Sequence, residues 1–457
     1  MKRWSVMLLS LGLFAAACSG GGASSGIQTV NPSASHEPVT LTMWSEWTSK
    51  AETNVFNKIF AGFEKQYPWI TVDSKTGLTD QKIIAAINAG DAPDAVLSFG
   101  VDNVGKFCQS GAWIDMNPYI KDPNVGIDMS STFPPTALTY TSYNGIQCSL
   151  PFLTDVTAMY YNLDMFKAAG ISGPPKTTDE LMADAKRLTK FNPDGSIKVA
   201  GFVPWIGYNC CGNTTLSFGH MFGAKWLDAD GKPAFATDPA WAEMLTWQKQ
   251  FIAEVYGNGD FQTGSDRLQR FVAGTADEFS PANDFEIGRV AIDLDGEWRA
   301  GPNFIQAEAP NLNYDTAPMP TSPGTTDTYG SGIAGGTIIG IPRGSKHEAE
   351  AWLLMKYMAT DTPTLVYMAN NAYNVPTTNA SLNSPDLKFV PQFQVFLDAF
   401  ANPHSEYRPT TPIGDGLGTY IDQFSQAWQA GKTTDLQGGL QTAADRTETD
   451  LQQAQAP

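Results

Sequence analysis

The chain has 457 residues, more than one hydrophobic core ordinarily serves, so two lobes are the default expectation. Apolar residues make up 42% and aromatics 11% of it, enough to fill buried cores. The net charge of -18 argues against a nucleic-acid partner, because that kind of binding rests on Lys and Arg neutralising phosphates; a neutral ligand is easier to reconcile with it.

At the N-terminus Lys2 and Arg3 precede an apolar run from Trp4 to Ala17, broken only by Ser5, Ser10 and Gly12. This predicts a signal peptide over 1–17, too short to span a bilayer comfortably. Ala15-Ala16-Ala17-Cys18 resembles a lipobox without the usual Leu three residues before the cysteine. Acylated on sulfur, Cys18 would become the mature N-terminus and tether the protein to a membrane without crossing it; plain secretion with a free cysteine is the alternative. Small polar residues from Ser19 to Pro38 read as a flexible leash.

Val39 to Trp44 alternates as a strand, and Val55, Ile59 and Phe63 recur at four-residue spacing in a helix that ends before Pro68. A strand at Ile70 to Val72, a helix at about Asp80 to Ala89 and a strand from Ala95 to Phe99 follow. Alternating strands and helices predict a mostly parallel sheet with ligand contacts in loops at the strand C-terminal ends, here Trp44 to Thr48 and Phe99 to Asn103. An apolar strand from Thr154 to Tyr161 comes next. Thr177 and Glu180 form a capping box for a helix starting at about Thr178, whose Leu181, Ala185 and Leu188 share one face.

A long helix is predicted from Pro239 to Val255. Asn192-Pro193-Asp194-Gly195 and Asp228-Ala229-Asp230-Gly231 lack the ligand series of a calcium loop and read as turns. Gly257 to Asn283 is a polar excursion, Pro320 to Gly330 a connector, and Gly332 to Ile341 a Gly-rich strand. Ser345 and Glu348 make a second capping box, and from about Ser384 the chain is expected to be helical again.

No catalytic motif appears. His36, His220, His347 and His404 are scattered without metal spacing, and neither GxSxG nor a phosphate loop is present, so neither cofactor nor metal is expected. Two motifs remain: Tyr161-Asn162, Asp164, Phe166, Ala169-Gly170 with Pro174-Pro175, Thr177 and Glu180-Leu181; and Phe285, Gly288, Ala291, Gly296 and Trp298. With these, the chain resembles bacterial extracellular solute-binding proteins of the carbohydrate type, the maltose-binding-like receptors of ABC importers, from about Val39 to Ala454.

The resemblance implies an α/β, two-lobed periplasmic-binding-protein-like fold of type II, with a hinge and an interlobe ligand cleft. The first lobe would be 39–152 with 331–382, and the second 153–330 with 383–457. Partners would be a carbohydrate and the permease of an ABC importer, with membrane attachment through the lipid on Cys18, an extracytoplasmic location and a monomeric state. Sugars need rings against their C–H faces and charged or amide partners for their hydroxyls. The ligand residues implied are Trp44, Glu46, Trp47, Asp102, Asp155, Tyr208, Trp298, Gly335, Gly336 and Tyr420; core packing competes for the tryptophans and structural hydrogen bonds for the carboxylates.

An exported protein should oxidise its cysteines. Four beyond Cys18 allow three pairings, and on the implied lobes only Cys108 with Cys148 leaves the hinge free. Cys210 and Cys211 would then be a vicinal disulfide or free thiols. Two rival functions stay open: a glycoside hydrolase pairing Glu46 with Asp295 or Glu297, and a surface adhesin.

Overall fold

The computed structural model describes residues 30–48, 50–209 and 211–455; the signal peptide, the lipobox with Cys18, and Cys210 lie outside them. A large sheet runs through the molecule in the order Ile70–Lys75, Val39–Ser45, Ala95–Ser98, Ala334–Gly340, Leu150–Asn162, Val290–Gly296, Ile197–Phe202 and Lys190–Phe191. The first three strands are parallel, as the strand–helix alternation predicts. Ala334–Gly340 and Val290–Gly296 lie antiparallel on either side of Leu150–Asn162, and Ile197–Phe202 is parallel to Val290–Gly296.

Successive strand residues point to opposite faces, and here the two faces feed different cores. Ala95 and Leu97 enter a first core with Leu41, Phe63 and Trp352, while Val96 enters a smaller one with Val104, Phe107 and Trp113. In the crossing strand, Ala158 and Tyr160 serve the first core, and Met159 and Tyr161 a second core built on Leu181, Trp241 and Ile292. That 13-residue strand is buried throughout except at Asp155.

The helix starts follow their caps. Thr177 and Glu180 make both halves of the predicted capping box, and the helix Thr178–Leu188 buries Leu181, Ala185 and Leu188. Ser345 does not cap. Its hydroxyl donates to Asp94 Oδ1 at 3.0 Å, and His347 becomes the cap residue of Glu348–Thr360 with no side-chain cap bond. Asp94 also accepts from Thr42 N and Lys346 N, so this turn carboxylate captures the serine before the helix can use it.

The lobe boundaries shift from those expected. Phe393, Phe396 and Phe400 pack in the first core, as do Phe285, Ala300 and Ile305, so the chain returns to the first lobe twice within stretches assigned to the second. Residues 402–415 are not helical. Pro403, Pro409 and Pro412 deny the backbone donors a helix needs, and the segment lies as a strap over the first lobe: Thr410 Oγ1 donates to Ser142 O, and Asp415 N to Asn103 Oδ1. The helices Gly416–Gln429 and Leu436–Gln455 then join the second core through Leu417, Ile421 and Leu440.

Cys108 and Cys148 form a disulfide within the first lobe. Cys211 gives its backbone N–H to Asn209 Oδ1. The excursion at 257–283 is more than a surface loop, because its helix Phe261–Val272 buries Leu268 and Phe271 in the second core. Among the described residues no helix is long and apolar enough to cross a membrane.

Candidate functional site

At the C-terminal ends of the parallel strands, Glu46 draws two loops together. Its carboxylate accepts from Phe99 N at 2.7 Å, Asp80 N at 3.1 Å and Ser98 Oγ at 3.3 Å. Burial, followed by neighbouring Asp80, raises its pKa. With both oxygens engaged, Glu46 shapes the rim rather than pointing out of it.

The tryptophans beside it are packed. Trp47 is 5% exposed in the first core, edge-on to Phe56. Trp44 packs against the small core with Lys75 above its ring, because Lys75 is its cross-strand neighbour. The exposed aromatic of this rim is Phe99, at 46%. Sequence alone could not separate these three rings, since strand alternation does not say where a sheet ends and its loop begins.

Asp102, on the second loop, accepts from Tyr407 Oη at 3.0 Å and pairs with Arg408 Nε at 3.2 Å. Both partners come from the strap. Burial raises the Asp102 carboxyl and the Arg408 charge opposes that rise. Arg408 in turn lies 5.0 Å from the Trp226 ring of the second lobe. A Cβ on Gly418 would fall 2.3 Å from Arg408 Nη1, so a larger residue there would push the guanidinium aside.

The predicted glycines sit next to this contact and are covered by protein. A Cβ on Gly335 would lie 2.5 Å from Tyr407 Cε2, and one on Gly336, whose φ is +132°, 2.5 Å from Leu153 O. They admit the Tyr407 ring and the crossing strand, where a direct approach to ligand had been expected.

Gly335 is the sheet partner of Asp155. Asn374 Nδ2 donates to Asp155 Oδ1 at 2.6 Å and to Glu297 Oε1 at 3.0 Å, and Glu297 Oε2 accepts from Val156 N at 2.7 Å. Burial raises the pKa of both carboxyls, and Asp155 adds to the rise at Glu297.

Trp298 follows on the short helix Glu297–Ala300. It is half-buried and belongs to none of the three cores. Its ring lies over Gly296, where a Cβ would come within 2.1 Å. The next residue fixes this turn: Arg299, 2% exposed, reaches Asp295 at 2.6 Å, Glu286 at 3.3 Å and Glu278 at 3.5 Å. Glu278 belongs to the 257–283 excursion, which thus supports the turn that carries Trp298.

These contacts form one row from the first-lobe rim to the end of Val290–Gly296: Asp102, Tyr407, Gly335, Asp155, Asn374, Glu297 and Trp298. The six other expected members lie elsewhere or are occupied: Trp44 and Glu46 at the rim, Gly336 against the crossing strand, and Tyr208, Tyr420 and Trp47. Tyr208 donates to Asp284 Oδ2 at 3.0 Å beside a small recess lined by Asn209, Glu278 and Asp293. Tyr420 donates to Asp450 Oδ2 at 2.9 Å under Arg446, in a groove of about 390 Å³ between the last two helices. Trp47 is core. Sequence reading missed Asn374, Tyr407 and Arg408. Only the Pro-flanked Tyr407-Arg408 pair left a trace, in a stretch whose prolines should have ruled out the helix expected there.

The sequence profile of the bacterial extracellular solute-binding proteins matches residues 47–364, more than half of the chain. A maltotriose-binding protein of Pyrococcus abyssi (strain GE5 / Orsay) is 24% identical over 380 residues, 82% of this chain and 75% of its own. Among solved structures, CpMnBP1 with mannotriose bound superposes with a TM-score of 0.76 at 27% identity, covering 90% of this chain and all of that one. The maltose/maltodextrin-binding domain of Bdellovibrio bacteriovorus bound to maltotriose gives 0.68 at 21% identity, covering 90% and 100%, and speaks for the fold. With its crossing strand, two main cores and interlobe row, the chain belongs to the bacterial extracellular solute-binding protein family.

Proposed function

We propose that this protein is the carbohydrate receptor of an ABC importer, which holds a mono- or oligosaccharide between its lobes, closes over it and presents the closed form to the permease. The row from Asp102 to Trp298 carries this reading. It offers the Oδ2 of Asp155, which takes no hydrogen bond among the described residues, to a hydroxyl beside an indole that no core claims, the pairing a pyranose requires. The relatives named for maltotriose and mannotriose support the same ligand class. Hinge closure is the usual means by which such folds bury a ligand. Acylation of Cys18 would hold the receptor at the membrane.

The hydrolase reading is less well supported. Glu46 spends its oxygens on Asp80, Ser98 and Phe99, and Asp295 spends its own on Arg299 and Gly296 N. A glycosidase needs two carboxyls open to one scissile bond. The relatives described above are binding proteins rather than enzymes.

A thermal-shift screen against mono- and oligosaccharides tests the proposal. A sugar at 100 times its dissociation constant should stabilise the protein by roughly 2.7 kcal/mol and be recovered intact. No shift with any sugar, or recovery of cleavage products, would overturn it. Separately, Cys18→Ala should move the protein from the membrane fraction to the medium; a wild type already soluble there would count against the anchor.

A further inference from the structure

Asp155 and Glu297 are both held by one nitrogen. Their oxygens sit 2.6 Å and 3.0 Å from Asn374 Nδ2, so they are no farther apart than the sum of these distances. Among the described residues neither carboxyl has an ion-pair partner; the nearby cation, Arg299, is committed to Asp295, Glu286 and Glu278. Two like charges this close and this poorly solvated do not both ionise, so such a pair keeps a proton.

The two members are not equivalent. Glu297 is 0% exposed and has both oxygens bonded. Asp155 is the one residue of its strand that is not buried, and among the described residues its Oδ2 takes no hydrogen bond. The deeper group keeps the proton, and the charge rests on Asp155, the less buried of the two. The other ionisable groups around Asp155 are hydroxyls: Tyr140, bonded to Thr154 Oγ1, and Tyr407, bonded to Asp102. Facing Glu297 is Tyr160, whose hydroxyl donates to Gly296 O, with the Asp295–Arg299 pair beyond it. Burial raises all three tyrosines, so the carboxyls are the groups here that change charge near neutrality.

We propose that Asp155 and Glu297 share one proton, and that this singly protonated pair is the form that accepts a sugar hydroxyl, so that capture is proton-linked on both sides of an optimum. This rests on the receptor reading above. A second proton on Asp155 would turn its charged acceptor into a neutral one on the acid side. Loss of the Glu297 proton would place two charges on the cleft floor on the alkaline side. Glu297 thus acts as a positioning residue, setting the state of Asp155.

Isothermal calorimetry with maltotriose and mannotriose across pH tests this. Affinity should peak near neutrality, and each limb should approach tenfold per pH unit, the slope of a one-proton linkage. Measured in buffers of different ionisation enthalpy, binding should take up a proton on the alkaline limb and release one on the acid limb. Glu297→Gln should abolish the alkaline limb and keep the acid one. A flat wild-type profile, or an unchanged alkaline limb in the variant, would overturn the proposal; should the variant not fold, the wild-type proton count decides. If neither these two nor any sugar of the thermal-shift screen binds at any pH, the receptor reading is what fails. Carboxyl carbon NMR of the ligand-free protein then still tests the shared proton: Glu297 should stay protonated well above the ordinary carboxylate range, and ordinary titration of both groups would refute it.

Discussion

Trp298 is the residue whose removal separates site from scaffold most cleanly. Its ring is outside every core and rests on Gly296, so Trp298→Ala leaves no cavity in the packed interior. If the indole is the sugar anchor, the variant should lose about 2 kcal/mol or more of affinity with its circular dichroism and melting temperature unchanged. Retained affinity would assign the ring to packing. His220 offers a stability readout instead. It is half-buried beside Ser331 Oγ at 3.1 Å, and desolvation lowers its pKa from 6.5 to about 4. The folded state therefore refuses a proton that the unfolded chain accepts. Its contribution is fully present above pH 6.5 and is lost as pH falls toward the folded value, up to about 3 kcal/mol. Comparing urea midpoints of wild type and His220→Gln at both ends of this window should show the variant less acid-sensitive; equal sensitivity would exclude His220 as a source.

The short helix Glu297–Ala300 is too small to hold itself, and its position depends on Arg299. Three carboxylates from Glu278, Glu286 and Asp295 converge on that guanidinium, all at most 6% exposed. Breaking a buried ion cluster from one side leaves uncompensated charge and costs about 3 to 5 kcal/mol. Arg299→Met should be destabilised by that amount at neutral pH, with the deficit shrinking as Glu286, whose carboxyl burial raises, takes up a proton. Equilibrium urea unfolding at two pH values measures it, and a deficit independent of pH would point to lost packing instead. Sequence reading placed this element by the spacing of Phe285, Gly288, Ala291, Gly296 and Trp298 but could not say what held it. Glu278 lies in the polar excursion at 257–283, outside this motif's residue pattern.

Across the whole molecule, the strap at 402–415 is the second-lobe approach to the first-lobe rim. Tyr407 and Arg408 both bind Asp102, while Arg408 also stacks near Trp226. Asp102 and Arg408 are 18% and 16% exposed, so their separation is felt. Arg408→Met should weaken the contact by about 2 kcal/mol or more and enlarge the sugar-free protein in small-angle scattering. An unchanged radius of gyration would mean that the strap, and not this pair, sets the lobe arrangement.

Legible in the sequence was what is encoded over a few residues or one period: the parallel start of the sheet, the capping box at Thr177 and Glu180, the helix at 80–89, the long helix expected over 239–255, whose α-helical part is Pro239–Phe251, the turns at Asp194 and Asp228, and the family. The sequence also singled out Asp155, because a lone carboxylate in an apolar strand must find a partner. Tertiary structure alone decided what each candidate meets. Asp102 and Tyr407 are 305 residues apart, and Asp155 and Asn374 are 219 apart. Periodicity reports that a face is covered and is silent about which distant segment covers it. For that reason Trp47, expected at the ligand, packs in the first core, Tyr420 faces Asp450 and Arg446, and the glycines at 335 and 336 accommodate protein.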